Sequence, residues 1–322
     1  MALKAPAVPL ADRSRKPRVR RRGRAAASLA VLAGLLLVAT GCEPLVNPPA
    51  GGGEVKTQTF RYGPFTLGAG GELQGSPSSG MPRPAGAFGL KGARFNVVDQ
   101  NGTPISPHEV HLHHIVMTTS ARQDQLCPGR AERFMGAGME RTPLKLWGPY
   151  TYLVGANDQW GSIWHLMNES ASQKTVYIEY TLDYQPGATA TNSRGVAALF
   201  QDVTGCGGST YDVPGNGGPG SVHTNSRSWT APRDGIAVFA GGHLHEGAID
   251  IALKDTTANK TLCTGTATYH ENPRHLSSIN ACSLHEKVNA GNSFTVTSRY
   301  ENSQPIADVM GIYLTYVWWG TQ

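Results

Sequence analysis

The chain has few of the features that mark a helical or a thiolate-rich protein. It contains five cysteines in 322 residues, with no Cys-x-x-Cys spacing, and only 16% of its residues are charged. The absence of Cys-x-x-Cys spacing argues against a structural zinc site. No long stretch has the periodicity of an amphipathic helix, which excludes a helical bundle. What remains is a glycine-rich chain with frequent strand-like alternation.

The first 41 residues are typical of an export signal. Residues 13–24 form a dense basic run and residues 25–39 an apolar segment, which is short for a membrane-spanning helix. Cys42 follows small residues and predicts a lipidated first residue of the mature chain. We therefore expect an exported protein of the cell envelope, held by this lipid to the outer face of the membrane. Plain secretion and a retained anchor are the alternatives, and Sec and twin-arginine export both stay open.

Removing this signal reverses the net charge. The whole chain has 28 Lys+Arg and 23 Asp+Glu, of which residues 1–41 hold nine basic and one acidic residue. The remainder has 19 basic and 22 acidic residues, a net charge of −3. The sequence thus predicts no basic surface for nucleic acid. We expect a monomer whose partner is a small-molecule substrate.

The sequence after the signal predicts an all-β fold. In residues 174–184 apolar and polar side chains alternate, as on a half-buried strand. Similar runs lie at residues 235–242, 247–253, 293–300 and 309–319, and turn-forming residues separate them. We expect two antiparallel, jelly-roll-like β-sandwich domains in tandem.

The predicted organisation follows from a polar break at residues 185–194. We expect a domain boundary or a crossover between sheets there. The segments are a signal peptide (1–41), a flexible tether (42–56), an N-terminal sandwich (57–187) and a C-terminal sandwich (195–322).

Four cysteines follow Cys42, and an even number in an exported chain suggests disulfides. Cys263 and Cys282 close a short loop, so we expect them to pair. Cys127 and Cys206 are then left over, and their pairing stays open, since some cysteines could instead be metal thiolates.

Two histidine clusters carry the candidate chemistry. Residues 111–117 are HLHHIVM, and on a regular strand His111 and His113 would share a face while His114 points away. In the second cluster, His243 and His245 share a strand face and could chelate one ion.

Two further residues could complete these sets. His165 stands alone between apolar neighbours, where a buried, hydrogen-bonded histidine is the alternative. Met310 would be a core residue in isolation. A thioether prefers soft ions, so a His-x-His pair together with a methionine favours copper over zinc or calcium.

The order of these residues resembles that of the ligands in the copper type II, ascorbate-dependent monooxygenases. That group includes peptidylglycine α-hydroxylating and dopamine β-hydroxylating enzymes. The resemblance implies two copper ions per chain and an ascorbate-like external reductant. One copper, on His243, His245 and Met310, would activate O2 beside the substrate. The other, on His113, His114 and His165, would pass an electron. This pattern pairs His114 with His113, whereas regular strand geometry pairs His111 with it.

The C-terminal third is also similar to the stress-up-regulated nodulin-type proteins. The shared features include Trp229-Thr230-Ala231-Pro232, His243-Leu244-His245 and Ser298-Arg299-Tyr300-Glu301-Asn302. The chain departs from the peptide-hydroxylating pattern at two substrate-holding positions, which are Gly241 and Leu314 instead of arginine and tyrosine. A peptide-amidating role is therefore disfavoured.

Three hypotheses follow. The chain is a copper monooxygenase acting on a small organic substrate, a non-enzymatic copper-binding envelope lipoprotein, or a sugar- or protein-binding β-sandwich with vestigial histidines.

Overall fold

A computed structural model describes residues 53–270 and 275–320. The predictions for the signal peptide, for lipidation of Cys42 and for residues 42–52 of the tether lie outside these residues. The all-β prediction is confirmed, because no α-helix occurs in the part of the chain that is described. Within these ranges, no helix is long and apolar enough to span a membrane.

The first half of the chain forms two sheets. Its strands are β1 (Lys56–Leu67), β2 (Glu72–Gly75), β3 (Phe88–Val98), β4 (Val110–Gln123), β5 (Ala131–Gly138), β6 (Leu144–Lys145), β7 (Tyr150–Val154), β8 (Trp160–Asn168), β9 (Lys174–Pro186) and β10 (Arg194–Gly195). One sheet has the order β1-β9-β3-β7-β10, with β6 pairing to β3. The other has the order β2-β8-β4-β5. The pairs are antiparallel except for β7 with β10.

The second half contains the remaining strands. They are β11 (Ala197–Asp202), β12 (Tyr211–Val213), β13 (Val222–Thr230), β14 (Gly235–Leu244), β15 (Ala248–Asp255), β16 (Lys260–Tyr269), β17 (Leu276–Ile279), β18 (Cys282–Val288), β19 (Ser293–Glu301), β20 (Ile306–Val309) and β21 (Gly311–Trp318). They form sheets β11-β21-β14-β18 and β13-β19-β15-β16-β17, and a short pair of β12 with β20.

Alternation along β9 explains how the first two sheets pack. Val176, Ile178, Tyr180 and Leu182 are fully buried, and the residues between them are not. They join one apolar core with residues of β3, β4 and β8. Burying one face of each sheet against the other is what stabilises a sandwich.

The sheet that contains β14 is buried on both faces. Ala237 and Ala240 belong to the core of the second half, whereas Val238 and Phe239 belong to the core of the first half. This double burial explains the nearly uninterrupted apolar run of β14, which differs from the alternation of β9. The described residues all fall in one compact unit, so two tandem domains are not confirmed and their boundaries stay predictions.

Both disulfides are formed. Cys263 pairs with Cys282, as expected from their short loop. Cys127 pairs with Cys206 across 79 residues, and this bond links the β4–β5 connection to the loop after β11. The alternative of metal thiolates is therefore wrong for all four cysteines.

Candidate metal centre

The histidine-rich segment of β4 contains a β-bulge. Leu112 lies opposite Leu166 and His114 lies opposite His165, so His113 is an extra residue between two consecutive pairs. A bulge sets two residues of one strand against one residue of its partner. His113 and His114 can therefore both lie against His165, although a regular strand would direct them to opposite faces.

The bulge brings three imidazoles together. One ring nitrogen from each of His113, His114 and His165 lies within 4.8 Å of the other two. The Nδ1 atoms of His113 and His114 are 3.3 Å apart. Two nitrogens bound at about 2.0 Å to one tetrahedral ion would be separated by roughly this distance. We call these three residues the N-terminal triad.

His165 and His111 differ in their relation to this triad. His165 Nε2 donates to Glu72 Oε2 at 3.0 Å, which leaves its Nδ1 as the atom with a free lone pair. His111 is 3% exposed, and its ring centre lies 6.2 Å from that of His113. The structure therefore brings His114, not His111, to His113, against the expectation from regular strand geometry.

The second set of candidate ligands lies at the end of β14. The ring centres of His243 and His245 are 5.1 Å apart. His243 Nδ1 is 3.1 Å from both carboxylate oxygens of Glu140, and His245 Nδ1 donates to the Asp308 carbonyl at 2.8 Å. These bonds make Nε2 the acceptor nitrogen of each ring. Both Nε2 atoms are buried without a hydrogen-bond partner, as expected of metal-binding imidazoles.

Met310 lies beside this pair, between β20 and β21. His243 is opposite Ile312 on β21, and Met310 precedes Ile312 by two residues. Met310 is 8% exposed and lines the same cavity as His243. The predicted strand at 309–319 is in fact divided at Met310, two residues after Asp308, which has a φ of 54°. We call His243, His245 and Met310 the C-terminal triad.

Tyr300 connects two members of the C-terminal triad through their backbones. Its hydroxyl accepts a hydrogen bond from His245 N at 2.8 Å and donates one to the Met310 carbonyl at 2.5 Å. The Tyr300 ring is fully buried. One rigid side chain thus sets the position of His245 relative to Met310.

The two triads adjoin each other. The ring centres of His113 and His245 are 4.0 Å apart, and the ring of His114 lies 6.4 Å from those of both His243 and His245. The five imidazoles of the two triads form one continuous group, which we call the histidine cluster.

Burial lowers the pKa of three histidines of the cluster. Together with the neighbouring imidazoles, it lowers the pKa of His114 to about 3 and that of His113 to about 2. Burial also lowers the pKa of His245 well below its ordinary value. Neutral imidazoles can bind a metal without first losing a proton. Imidazole nitrogens with one thioether suit copper, so the residues present fit this ion.

A cavity opens beside the cluster. It has an empty volume of about 970 Å³, including its mouth, and His114, His243 and Met310 form part of its wall. Gly138 makes room for His243, since a Cβ at this position would lie 2.3 Å from His243 Cε1.

The sequence did not reveal the residues that orient the ligands. Glu140 is 103 residues from His243 in the sequence. The acceptor at Asp308 is a backbone carbonyl, which every residue has, so no side-chain pattern indicates it. Tyr300 lies in the Ser298–Asn302 segment of the nodulin-type resemblance, which was the one available signal.

Comparisons with known proteins agree with this site. The family model described as stress up-regulated Nod 19 matches residues 201–318, which contain the whole C-terminal triad. The probable copper-dependent oxygenase clz3 of Cochliobolus lunatus is 27% identical over 254 residues, covering 70% of this chain and 78% of that protein. The resemblance to copper-dependent oxygenases and to nodulin-type proteins is therefore confirmed.

A second relative agrees. The probable copper-dependent oxygenase M1 of a Phoma species is 28% identical over 251 residues, which cover 70% of this chain but 62% of that protein. The chain thus spans less than two thirds of the Phoma protein. Among solved structures, a subviral particle of infectious bursal disease virus VP2 matches with a TM-score of 0.23 at 11% identity, over 83% of this chain and 72% of that one.

Proposed function

We propose that the chain is a copper-dependent monooxygenase that hydroxylates a small organic substrate with O2 and an external reductant. The observation that carries the proposal is the histidine cluster, in which two buried Nε2 atoms have no partner and three further imidazoles converge beside them. The names of the two fungal relatives support the same chemistry.

Each part of the site has a distinct role in this proposal. When bound, copper would deliver electrons to O2 so that one oxygen atom enters a C–H bond and the other leaves as water. Glu140 and the Asp308 carbonyl hold His243 and His245 in the tautomer that offers Nε2. The cavity wall receives the substrate and limits the access of water, and Met310 supplies a sulfur that favours Cu(I).

The proposal includes two copper ions, one for each triad, and an ascorbate-like reductant. The basic and apolar segments before Cys42 further support export and a lipid anchor, with the protein acting as a monomer at the cell envelope.

Metal analysis combined with O2 uptake tests the function. Purified protein is loaded with copper, freed of excess ion and assayed for copper content and for O2 uptake with ascorbate. We expect two coppers per chain and ascorbate-dependent uptake that rises when a hydroxylatable substrate is added. Absence of bound copper would refute the proposal.

A copper-binding lipoprotein without catalytic activity is the second candidate. It is favoured by Gly241 and Leu314, which stand at the two substrate-holding positions of the peptide-hydroxylating pattern. It predicts tight copper binding without product formation, and a deletion strain with altered copper tolerance but no lost metabolite.

A further inference from the structure

A buried arginine on β5 has a hydrogen-bond donor that the protein does not use. Arg133 is 7% exposed, and its Nη2 is buried without a partner. Its Nε donates to Asp124 Oδ2 at 2.7 Å, and its guanidinium carbon lies 4.1 Å from the centre of the Phe200 ring. The other oxygen of Asp124 accepts hydrogen bonds from the backbone of Leu126 and Cys127. The guanidinium is therefore held in one orientation.

A buried guanidinium with an unused donor is costly unless a ligand completes it. Asp202 is near enough to attract Arg133, yet its Oδ2 is likewise buried without a hydrogen-bond partner. No hydrogen bond joins the two side chains, and Asp202 accepts instead from Thr204 through its other oxygen. An incoming carboxylate could accept from the guanidinium, which is the geometry that arginine recognises best.

Arg133 lines the same cavity as His243 and Met310. A second arginine, Arg130, is exposed and also lines this cavity. Among the described residues of the wall, Glu140 is the one carboxylate, and it is bonded to His243. Asp124 and Asp202, which do not line the cavity, balance the charge of Arg133. The cation left for a ligand at this end of the cavity is therefore the exposed Arg130, and Arg133 adds its unused hydrogen-bond donor, so this end complements an anion.

The wall between the arginines and the histidines is apolar. It includes Met135 and Ala137 of β5 and Ile312 and Leu314 of β21. Arg133 precedes Gly138 by five residues, roughly 16 Å along a strand. Since Gly138 lies directly against His243, a ligand that reaches both ends must have an extended apolar body.

We propose that this cavity binds an apolar carboxylate, with its carboxyl group at Arg133 and Arg130 and its hydrocarbon body directed towards His243 and Met310. The proposal rests on the proposed function, for which it names the class of substrate. Gly241 lacks the arginine of the peptide-hydroxylating pattern, and here the cationic group comes from the other half of the chain. The oxidised carbon would lie far from the carboxylate.

Calorimetric titration of the full chain without copper tests this inference. The ligands are decanoate and decanol, which share a hydrocarbon body and differ in the charged end. We expect decanoate to bind roughly tenfold to a hundredfold more tightly. Arg133→Lys keeps a cation beside Asp124 but loses the paired N–H donors of the guanidinium. Arg130→Glu reverses the charge of an exposed residue in the cavity wall. Both should remove most of the preference and leave decanol binding unchanged.

Arg94→Met is the matched control. Arg94 is a half-exposed arginine that pairs with Asp183, and both lie on the sheet that does not contain Arg133. It should keep the full preference for decanoate. Equal binding of the two ligands, or a preference that survives both cavity variants, would overturn the inference. Because the titration needs no copper, its failure is distinguishable from the failure of the oxygenase proposal, which copper content and O2 uptake test.

Discussion

The two triads hold their imidazoles by different means. In the C-terminal triad an acceptor orients each ring: the Glu140 carboxylate, which is 1% exposed, bonds His243, and the Asp308 carbonyl bonds His245. In the N-terminal triad a backbone irregularity brings the rings together, and the Glu72 carboxylate that bonds His165 is 61% exposed. The C-terminal triad is therefore better organised before metal arrives, and the comparison predicts that it binds copper more tightly.

Removing one ligand from each triad should have the largest effect. We expect His243→Ala and His113→Ala each to reduce copper from two ions to one per chain and to abolish ascorbate-dependent O2 uptake. Metal analysis and electron paramagnetic resonance of the two variants measure this. His223→Ala, outside the histidine cluster on β13, is the control. If either variant lost all copper, the two triads would be one centre.

Changing the carboxylates that bond His243 and His165 tests directly whether the two triads differ in copper affinity. Glu140→Gln should weaken copper binding at the C-terminal triad by about 10- to 100-fold, because the carboxylate that bonds His243 Nδ1 fixes the tautomer of this ring and raises its basicity. Glu72→Gln should have a smaller effect, since that carboxylate is largely in solvent. Competition with a copper chelator gives both affinities. Equal losses in the two variants would remove the proposed difference.

Tyr300→Phe should reduce the free energy of unfolding of the metal-free protein by about 2–3 kcal/mol, because it leaves His245 N and the Met310 carbonyl without their buried partner. Urea denaturation measures the loss. Tyr177→Phe, on a half-buried position of β9, is the matched control. A change no larger than the control's would mean that Tyr300 does not hold this segment.

Acidification should destabilise the metal-free protein near the N-terminal triad. Burial lowers the pKa of His111 to about 4, and His275 adds to the shift, whereas the unfolded chain binds protons with a pKa of about 6.5. The stability that depends on neutral His111 is therefore full above pH ~6.5 and is lost as pH falls towards 4. At pH 5 this costs about 2 kcal/mol.

Urea denaturation of the wild type and His111→Gln at pH 7 and pH 5 measures whether acidification lowers the free energy of unfolding through His111. The wild type should lose more stability than the variant between the two values, and a His223→Gln control should behave as the wild type. A variant with the same pH dependence as the wild type would contradict the expectation.

Much of this architecture was visible in the sequence. Alternation in residues 174–184 located β9, and the His-x-His spacing located the pair at the end of β14, because both depend on the local period of a strand. The bulge at His113 was not predictable in this way, since it depends on the partner strand. Glu140 and Arg133 were missed because each acts on residues that only tertiary packing brings near.

The bulge has a consequence for how such a site could arise. His113 is inserted between two pairs, Leu112–Leu166 and His114–His165, that would otherwise follow one another in a regular ladder. Deleting this residue would leave both pairs, and every register around them, as they are. A gain or loss of a single codon could therefore create or erase the N-terminal triad while the rest of the β4–β8 pairing is inherited intact.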